Sequence, residues 1–462
     1  MQVITNFFGY ISGLGANVMM PIILTIFGVC LGAGFGRSLR AGLTVGVGFI
    51  GLNLVIGLMG SNLGPAVEKM SATFGLSLSV IDVGWPAAAA IAFGSFIGTV
   101  IIPIGLIVNI IMLLTNTTQT VNIDIWNYWH FAFTGALVAA LTKSTALGIL
   151  AAVVNMVIVM VIGDFTAPGM EEYNGLPGIS IPHGFSAAFA PVAIVFNKIF
   201  DFIPGLNKIN VDMTGLQKRF GVFGEPMLVG TFIGIIIGLA SNFPFTDGFL
   251  AALGPILGLG VTLGAVLVLI PKMAAMLMEG LLPVSDAASE FIDKRFSNRG
   301  KIYIGLDSAV GIGHPTTLAI SLLLVPLIVF IAVILPGNKV VPLGDLAVIP
   351  FIFVLIIPIV KNNGFRAFLI GLITLAVGLW IATDLAPLIT EIAPASGFEM
   401  PAGATTISSI CDGANPLTWA IVRLHGLGVV GTVIAAAIAV VLAIWNRMRI
   451  LKEAAASHAS AK

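Results

Sequence analysis

The chain has 462 residues, of which 58% are hydrophobic and 9% charged, and its formal net charge is zero. A soluble globular domain carries roughly 25% charged residues, so this composition, with a mean hydropathy of +1.08, excludes one and points to an all-α polytopic membrane protein. Balanced charge, with no basic stripe or aromatic platform, also excludes a nucleic-acid-binding role.

Apolar runs of about 20 residues, the length a helix needs to cross the hydrocarbon layer, begin at 17–36 and 42–60. The first has no basic flank before it and no small-residue cleavage site after it, so it reads as a retained span and not as a signal peptide. Segment 66–81 is too polar and too short to span, and it leads into Asp82-Val83-Gly84-Trp85-Pro86, which reads as the tip of a re-entrant hairpin. Asp82 would accept hydrogen bonds from hydroxyls and Trp85 would cover an apolar C–H face, as a sugar-like ligand requires. An interfacial Trp beside a loop Asp is the plainer alternative.

Runs 88–115 and 132–162 are separated by Asp124-Ile125-Trp126-Asn127-Tyr128-Trp129-His130. Such an aromatic cluster is typical of a membrane interface. His130 stands apart, because at the head of a glycine-bearing run it can face inward and offer either ring nitrogen to a ligand hydroxyl. Run 185–200 follows Gly178-Ile179-Ser180-Ile181-Pro182-His183-Gly184. Proline and glycine there break the helix and free backbone groups for a ligand, and a histidine at membrane depth is costly unless it faces protein or water. His183 is therefore the leading candidate for substrate contact, with a structural role in capping a broken helix as the alternative.

Gly224-Glu225-Pro226 sets a carboxylate ahead of run 226–241. Glu225 either complements the positive end of that helix or pairs with His130 or His183. Runs 249–270 and 318–336 flank Asp307-Ser308-Ala309-Val310-Gly311-Ile312-Gly313-His314. Asp307 and His314 share a face if this stretch is helical, whereas Gly311 and Gly313 favour an unwound one. The final runs, 345–361, 367–383 and 417–445, enclose Asp412-Gly413-Ala414-Asn415-Pro416, where Asp412 and Asn415 repeat the Asp82 turn more weakly.

These runs imply about 11 transmembrane helices, with broken or re-entrant pieces near 132–162 and 185–200. Basic clusters at Arg37/Arg40, Lys198 to Arg219, Lys294 to Lys301, Lys361/Arg366 and Arg447 to Lys452 assign those ends to the cytoplasm, placing the N-terminus outside and the C-terminus inside. Cys30 and Cys411 lack the spacing of a metal site or redox pair, and no metal or cofactor is expected. The candidate set, Asp82, Trp85, His130, His183, Glu225, Asp307, His314, Asp412 and Asn415, contains no arginine. It suits a neutral polyhydroxylated ligand better than a carboxylate or phosphate, which would draw a guanidinium. Lys143 and Lys272 read as snorkelling interfacial residues.

Two distant series match in order. Leu14-Gly15 with Pro21, Arg40-Ala41-x-Leu43, Leu63-Gly64-Pro65 and the Asp82 turn are followed by Leu343-Gly344 with Pro350, Arg366-Ala367-x-Leu369, Leu385-Ala386-Pro387 and the Asp412 turn. A weaker pair relates 126–200 to 223–335. The expected organisation is a first outer repeat at 1–125, core halves at 126–215 and 216–335, a second outer repeat at 336–446 and a cytoplasmic tail at 447–462. Duplicated halves around discontinuous helices are the usual architecture of secondary transporters, so a carrier is favoured over a channel.

With Asp82-Val83-Gly84-Trp85-Pro86, Ile181-Pro182-His183-Gly184, Phe223-Gly224-Glu225-Pro226, Ile304-Gly305-Leu306-Asp307 and Pro336-Gly337-Asn338-Lys339 in that order, nearly the whole chain resembles the galactitol-type enzyme IIC permease of the bacterial phosphotransferase system, within the ascorbate–galactitol group. The resemblance implies a homodimer in the cytoplasmic (inner) membrane, each protomer with a scaffold and a mobile core that moves like an elevator. It also implies a polyol substrate phosphorylated by a separate IIB subunit carrying a phosphocysteine, with a IIA protein behind it. The longest polar region, about 279–317, is too short to be that domain. His183 and Glu225 are the weak candidates for a base toward the attacking hydroxyl. Ala87 to Ala90 and Phe185 depart from the family's pattern, which leaves "a hexitol or pentitol" as the broader expectation. The competing reading is an ion-coupled secondary transporter of a neutral polyol or sugar with Asp82, Glu225 or Asp307 as the ion site. A membrane enzyme working alone finds no nucleophile–base or metal-ligand spacing.

Overall fold

The computed structural model describes residues 16–74, 79–211, 226–246, 248–296, 301–342, 344–396 and 405–460. These form helices α1 (Ala16–Cys30) and α2 (Phe35–Thr73), strand β1 (Val80–Asp82), helices α3 (Gly84–Gly94) and α4 (Phe96–Leu114), strand β2 (Thr120–Asn122), helices α5 (Tyr128–Thr142) and α6 (Thr145–Asn174), strand β3 (Ile179–Ser180) and helix α7 (Gly184–Phe202). The order then begins again with α8 (Pro226–Asn242), α9 (Phe249–Phe296), β4 (Tyr303–Gly305), α10 (Pro315–Ile334), β5 (Val340–Val341), α11 (Ile349–Ile359), α12 (Gly364–Ala395), β6 (Thr406–Ser408), α13 (Ile410–Gly413) and α14 (Pro416–Gly426). Helix α15 (Val429–Ser460) closes the described chain. Among the described residues six helices are long and apolar enough to cross a membrane, and three shorter apolar segments lie at Pro103–Leu114, Gly230–Asn242 and Ile349–Ile359.

Several helices begin on a side chain that satisfies their first N–H groups. Ser95 Oγ accepts from Gly98 N at 3.1 Å, Asn363 Oδ1 from Arg366 N at 3.2 Å, and Asn415 Oδ1 from both Leu417 N and Thr418 N at 3.0 Å. In a membrane no water replaces a missing cap, so such side chains fix where a helix can start.

The short strands form two parallel three-stranded sheets, in the orders β5-β1-β6 and β2-β4-β3. Each sheet takes its central strand from one half of the chain and both edge strands from the other. Exchanging β1 with β4, β2 with β5 and β3 with β6 converts one sheet into the other, so the strand pattern of 80–180 matches that of 303–408. Motif spacing points instead to a match between 14–86 and 343–416. The strands at the ends of those stretches, β1 and β6, are hydrogen-bonded neighbours, with Asp82 opposite Ser408.

Helices α1, α2, α8 and α9 pack on one another, with α2 running along α9, and Arg37 reaching Asp286 at 3.6 Å. The two sheets and the remaining helices pack around fully buried Tyr128, Trp129, Phe131, Phe133, Phe185, Phe189 and Phe353. Ion pairs mark both ends of this second body. Lys143 meets Glu391 and Arg423 meets Asp384 at one end; Lys301 meets Glu171 and Arg366 meets Asp201 at the other.

Candidate functional site

The chain leaves each strand through a turn that carries polar side chains. Asp124 follows β2, His183 follows β3, Asp307 follows β4, and Asp412 and Asn415 follow β6. Asp124 Oδ1 accepts from Trp126 N at 3.1 Å and Oδ2 from Asp307 N at 3.1 Å, which ties the β2 turn to the β4 turn. Asp307 Oδ1 accepts from Ala309 N at 2.7 Å. His183 caps α7, with Nδ1 accepting from Ser186 N at 3.3 Å.

These turns bring five of the expected residues into one buried cluster. His130, in the first turn of α5, has Nδ1 at 2.7 Å from Asp412 Oδ2 and Nε2 at 3.0 Å from His183 Nε2. His183 Nε2 lies 3.6 Å from Asp307 Oδ2. Asn415 Nδ2 donates to Asp412 Oδ1 at 3.0 Å and to the Gly184 carbonyl at 3.1 Å. Gly184 permits the approach, since a Cβ there would lie 2.4 Å from His130 Cβ. Trp129 and Phe351 flank the rings, with centroids 4.0 Å from His130 and 5.8 Å from His183. His130 and His183 come from the first half of the chain, and Asp307, Asp412 and Asn415 from the second.

The remaining candidates divide. Asp82 serves the backbone: Oδ1 accepts from Gly84 N at 3.1 Å and Ile410 N at 3.4 Å, and Oδ2 from Asp345 N at 2.9 Å. Trp85 is half-buried and edge-on to Trp126, with ring centroids 6.2 Å apart. His314 stands at the N-cap of α10, beyond a single 3-10 turn at Ser308–Val310, so the 307–314 stretch is not a continuous α-helix. Glu225 lies outside the described residues.

Two carboxylates of the site region are absent from the candidate set. Asp345 Oδ1 accepts from Trp85 N at 2.6 Å, and its Oδ2 from Ser409 Oγ at 2.5 Å and Cys411 N at 2.9 Å. Asp124 and Asp345 each stand four residues before a helix, α5 or α11, with a 3-10 turn between. That shared spacing is the signal in the sequence that could have found them. Asp345 is obscured by opening an apolar run, and Asp124 by opening an aromatic cluster.

The site's polar groups are carboxylates, imidazoles and an amide, with every named group buried. Such a set can exchange hydrogen bonds with several hydroxyls at once. His130, Cys411 and Asp412 also present ligand atoms within 4.8 Å of one another. A metal there would have to displace the 2.7 Å hydrogen bond between His130 and Asp412. A cavity of about 280 Å³ lined by Phe165, Gly169, Asn197 and Lys198, among others, contains none of the cluster residues.

A family model described as the sugar-specific permease component of the PTS system matches residues 10–403. The chain belongs to this phosphotransferase-system permease family. Among its relatives, a protein of Escherichia coli K12 named as a permease IIC component is 39% identical over 446 residues, covering 96% of this chain and all of the relative. The galactitol-specific EIIC components of E. coli K12 and E. coli O157:H7 are each 38% identical over 443 residues, covering 95% of this chain and 96% of theirs. The resemblance read from the five ordered motifs is thereby borne out, and membership of a phosphotransferase permease family supports that reading over an ion-coupled transporter.

Proposed function

We propose that this chain is the enzyme IIC permease that carries galactitol, or a closely similar polyol, inward across the bacterial inner membrane as a separate IIB subunit phosphorylates it from a phosphocysteine, with IIA recharging IIB. The observation that carries the substrate class is the His130–His183–Asp307–Asp412–Asn415 cluster, whose mixture of donors and acceptors without a cation matches a neutral polyol. The relatives named for galactitol support that choice among polyols.

The two packed bodies support the transport reading. Helices α1, α2, α8 and α9 form the scaffold of a homodimer, and the two sheets with their helices form the core that carries the cluster past it. Broken helices such as α3–α4 and α13–α14 complete the crossings and raise the total toward about 11. The end marked by Lys301, Arg366 and the basic tail faces the cytoplasm, and the end marked by Lys143 and Arg423 faces outward. Asp82, already engaged by three backbone N–H groups, is poorly placed to bind a coupling ion.

Calorimetry of the purified protein with galactitol, other hexitols, pentitols and ascorbate tests the substrate. Selective galactitol binding is expected. Ascorbate binding in its place would overturn the neutral-ligand argument, and preference for another polyol would direct attention to Ala87–Ala90 and Phe185.

A further inference from the structure

The two histidines of the cluster are not equivalent, and a backbone amide distinguishes them. Ser186 N–H, which can only donate, is directed at His183 Nδ1 at 3.3 Å. Nδ1 therefore carries a lone pair, and the neutral ring holds its proton on Nε2. The Ser186 hydroxyl, also 3.3 Å from Nδ1, donates its hydrogen to the Phe351 carbonyl at 2.7 Å and accepts from the Ser308 hydroxyl at 2.6 Å, which leaves the backbone N–H as the donor to Nδ1.

His183 Nε2–H then faces His130 Nε2 at 3.0 Å. Two ring N–H groups cannot face each other at that distance, so His130 Nε2 is the acceptor and His130 carries its proton on Nδ1. There Asp412 Oδ2 accepts it at 2.7 Å, while Asn415 anchors the other carboxylate oxygen at 3.0 Å. Every hydrogen in the row points one way, from Ser186 through His183 and His130 to Asp412. A substrate hydroxyl entering between the rings would continue that direction, accepting from His183 and donating to His130.

We infer that His130, backed by Asp412, takes the proton from the substrate hydroxyl during phosphoryl transfer, and that His183 holds that hydroxyl as a hydrogen-bond donor. This rests on the phosphotransferase reading above. The hydroxyl oxygen forms the new bond to phosphorus, the phosphorus–sulfur bond of the partner's phosphocysteine breaks, and the sulfur leaves with the electron pair as thiolate. The hydroxyl proton moves to His130 Nε2, and the resulting imidazolium is held against the Asp412 carboxylate. The assignment differs from the sequence expectation, which named His183 or Glu225 for this step.

The test compares galactitol affinity with phosphoryl transfer, using full-length His130→Gln and His183→Gln proteins and the purified partner proteins. Glutamine at 130 still offers an acceptor oxygen but takes no proton, so affinity should stay within about threefold while transfer at saturating substrate falls about 10²–10⁴-fold. His183→Gln keeps a donor, so it should weaken binding while changing saturated turnover by less than about tenfold. The reverse split would overturn the inference. Nitrogen-15 spectra of histidine-labelled wild-type protein supply a readout independent of turnover: a proton on Nε2 of His183 and on Nδ1 of His130 is expected, and the opposite tautomers would overturn the assignment even if both variants misfold. Wild-type protein that shows these tautomers but binds no polyol would count against the proposed function instead.

Discussion

Asp82 and Asp345, 263 residues apart in the chain, are linked by a hydrogen bond from the Asp345 backbone N–H to Asp82 Oδ2 at 2.9 Å. Asp345 reciprocates within the same turn by accepting from Trp85 N at 2.6 Å. The two carboxylates thus close the end of the β5-β1-β6 sheet, each satisfying backbone donors of the opposite half.

Removing one member of this tie should destabilise the protein more than it alters ligand preference. Asp345→Ala leaves Trp85 N and the Ser409 hydroxyl without their acceptor and Cys411 N with only its longer bond to Ser409 Oγ at 3.2 Å. Stranded buried donors of this kind are expected to reduce stability by about 2–4 kcal/mol in total. A lowered unfolding midpoint in detergent, with the relative affinities for different polyols preserved, would bear this out. An unchanged midpoint would show that the tie contributes little.

His183→Ala is expected to abolish uptake while membrane abundance stays near wild type. The lost cap on Ser186 N–H reduces stability by only about 1 kcal/mol, so a collapse in folded protein would assign His183 a structural role. Immunoblots of membranes beside radiolabelled uptake separate the two outcomes.

Gly184→Ala places a Cβ where His130 Cβ already stands, at 2.4 Å. The start of α7 must shift, carrying with it His183 and the Gly184 carbonyl that Asn415 holds. A shift of this size in a preorganised site is expected to weaken polyol binding by at least about tenfold, measurable by calorimetry, with a smaller effect on the unfolding midpoint.

Asp164, buried along α6, makes a separate prediction. Its carboxylate accepts from Thr118 Oγ1 at 2.7 Å, Gln119 N at 3.0 Å, Thr120 Oγ1 at 2.6 Å and Asn446 Nδ2 at 2.7 Å. It therefore fixes both β2 and the middle of α15. Asp164→Ala should destabilise by about 3 kcal/mol and raise amide exchange at 117–122 first, which exchange mass spectrometry would detect. Uniform exchange across the protein would contradict this local role.

Much of the cluster is legible in the amino-acid sequence alone, because polar residues in proline- and glycine-broken apolar sequence have few alternatives to a functional or capping role. His130, His183, Asp307, Asp412 and Asn415 all stand out in that way. Their pairing does not, since it depends on strands of two or three residues, too short to leave a period in the sequence and completed only by partners hundreds of residues away. Asp82 shows what spacing leaves unread: its turn looks like a ligand rim, and the sequence gives no sign that its oxygens accept from the backbone of Gly84, Asp345 and Ile410. The helix count is blurred for the same reason, because short helices such as α11 and α13 begin only after the chain has left strands β5 and β6.

The exchange of strands between the halves also sets a timetable for biosynthesis. β1 finds its neighbours only at Val340–Val341 and Thr406–Ser408, so its N–H and C=O groups wait through most of translation, on the order of tens of seconds at ribosomal speed. Open strand edges are poorly tolerated in lipid, so the nascent first half needs shelter from the insertion machinery or from water until the second half arrives. A prematurely terminated chain would hold His130 and His183 without Asp307, Asp412 or Asn415, and so without the carboxylates that complete the cluster.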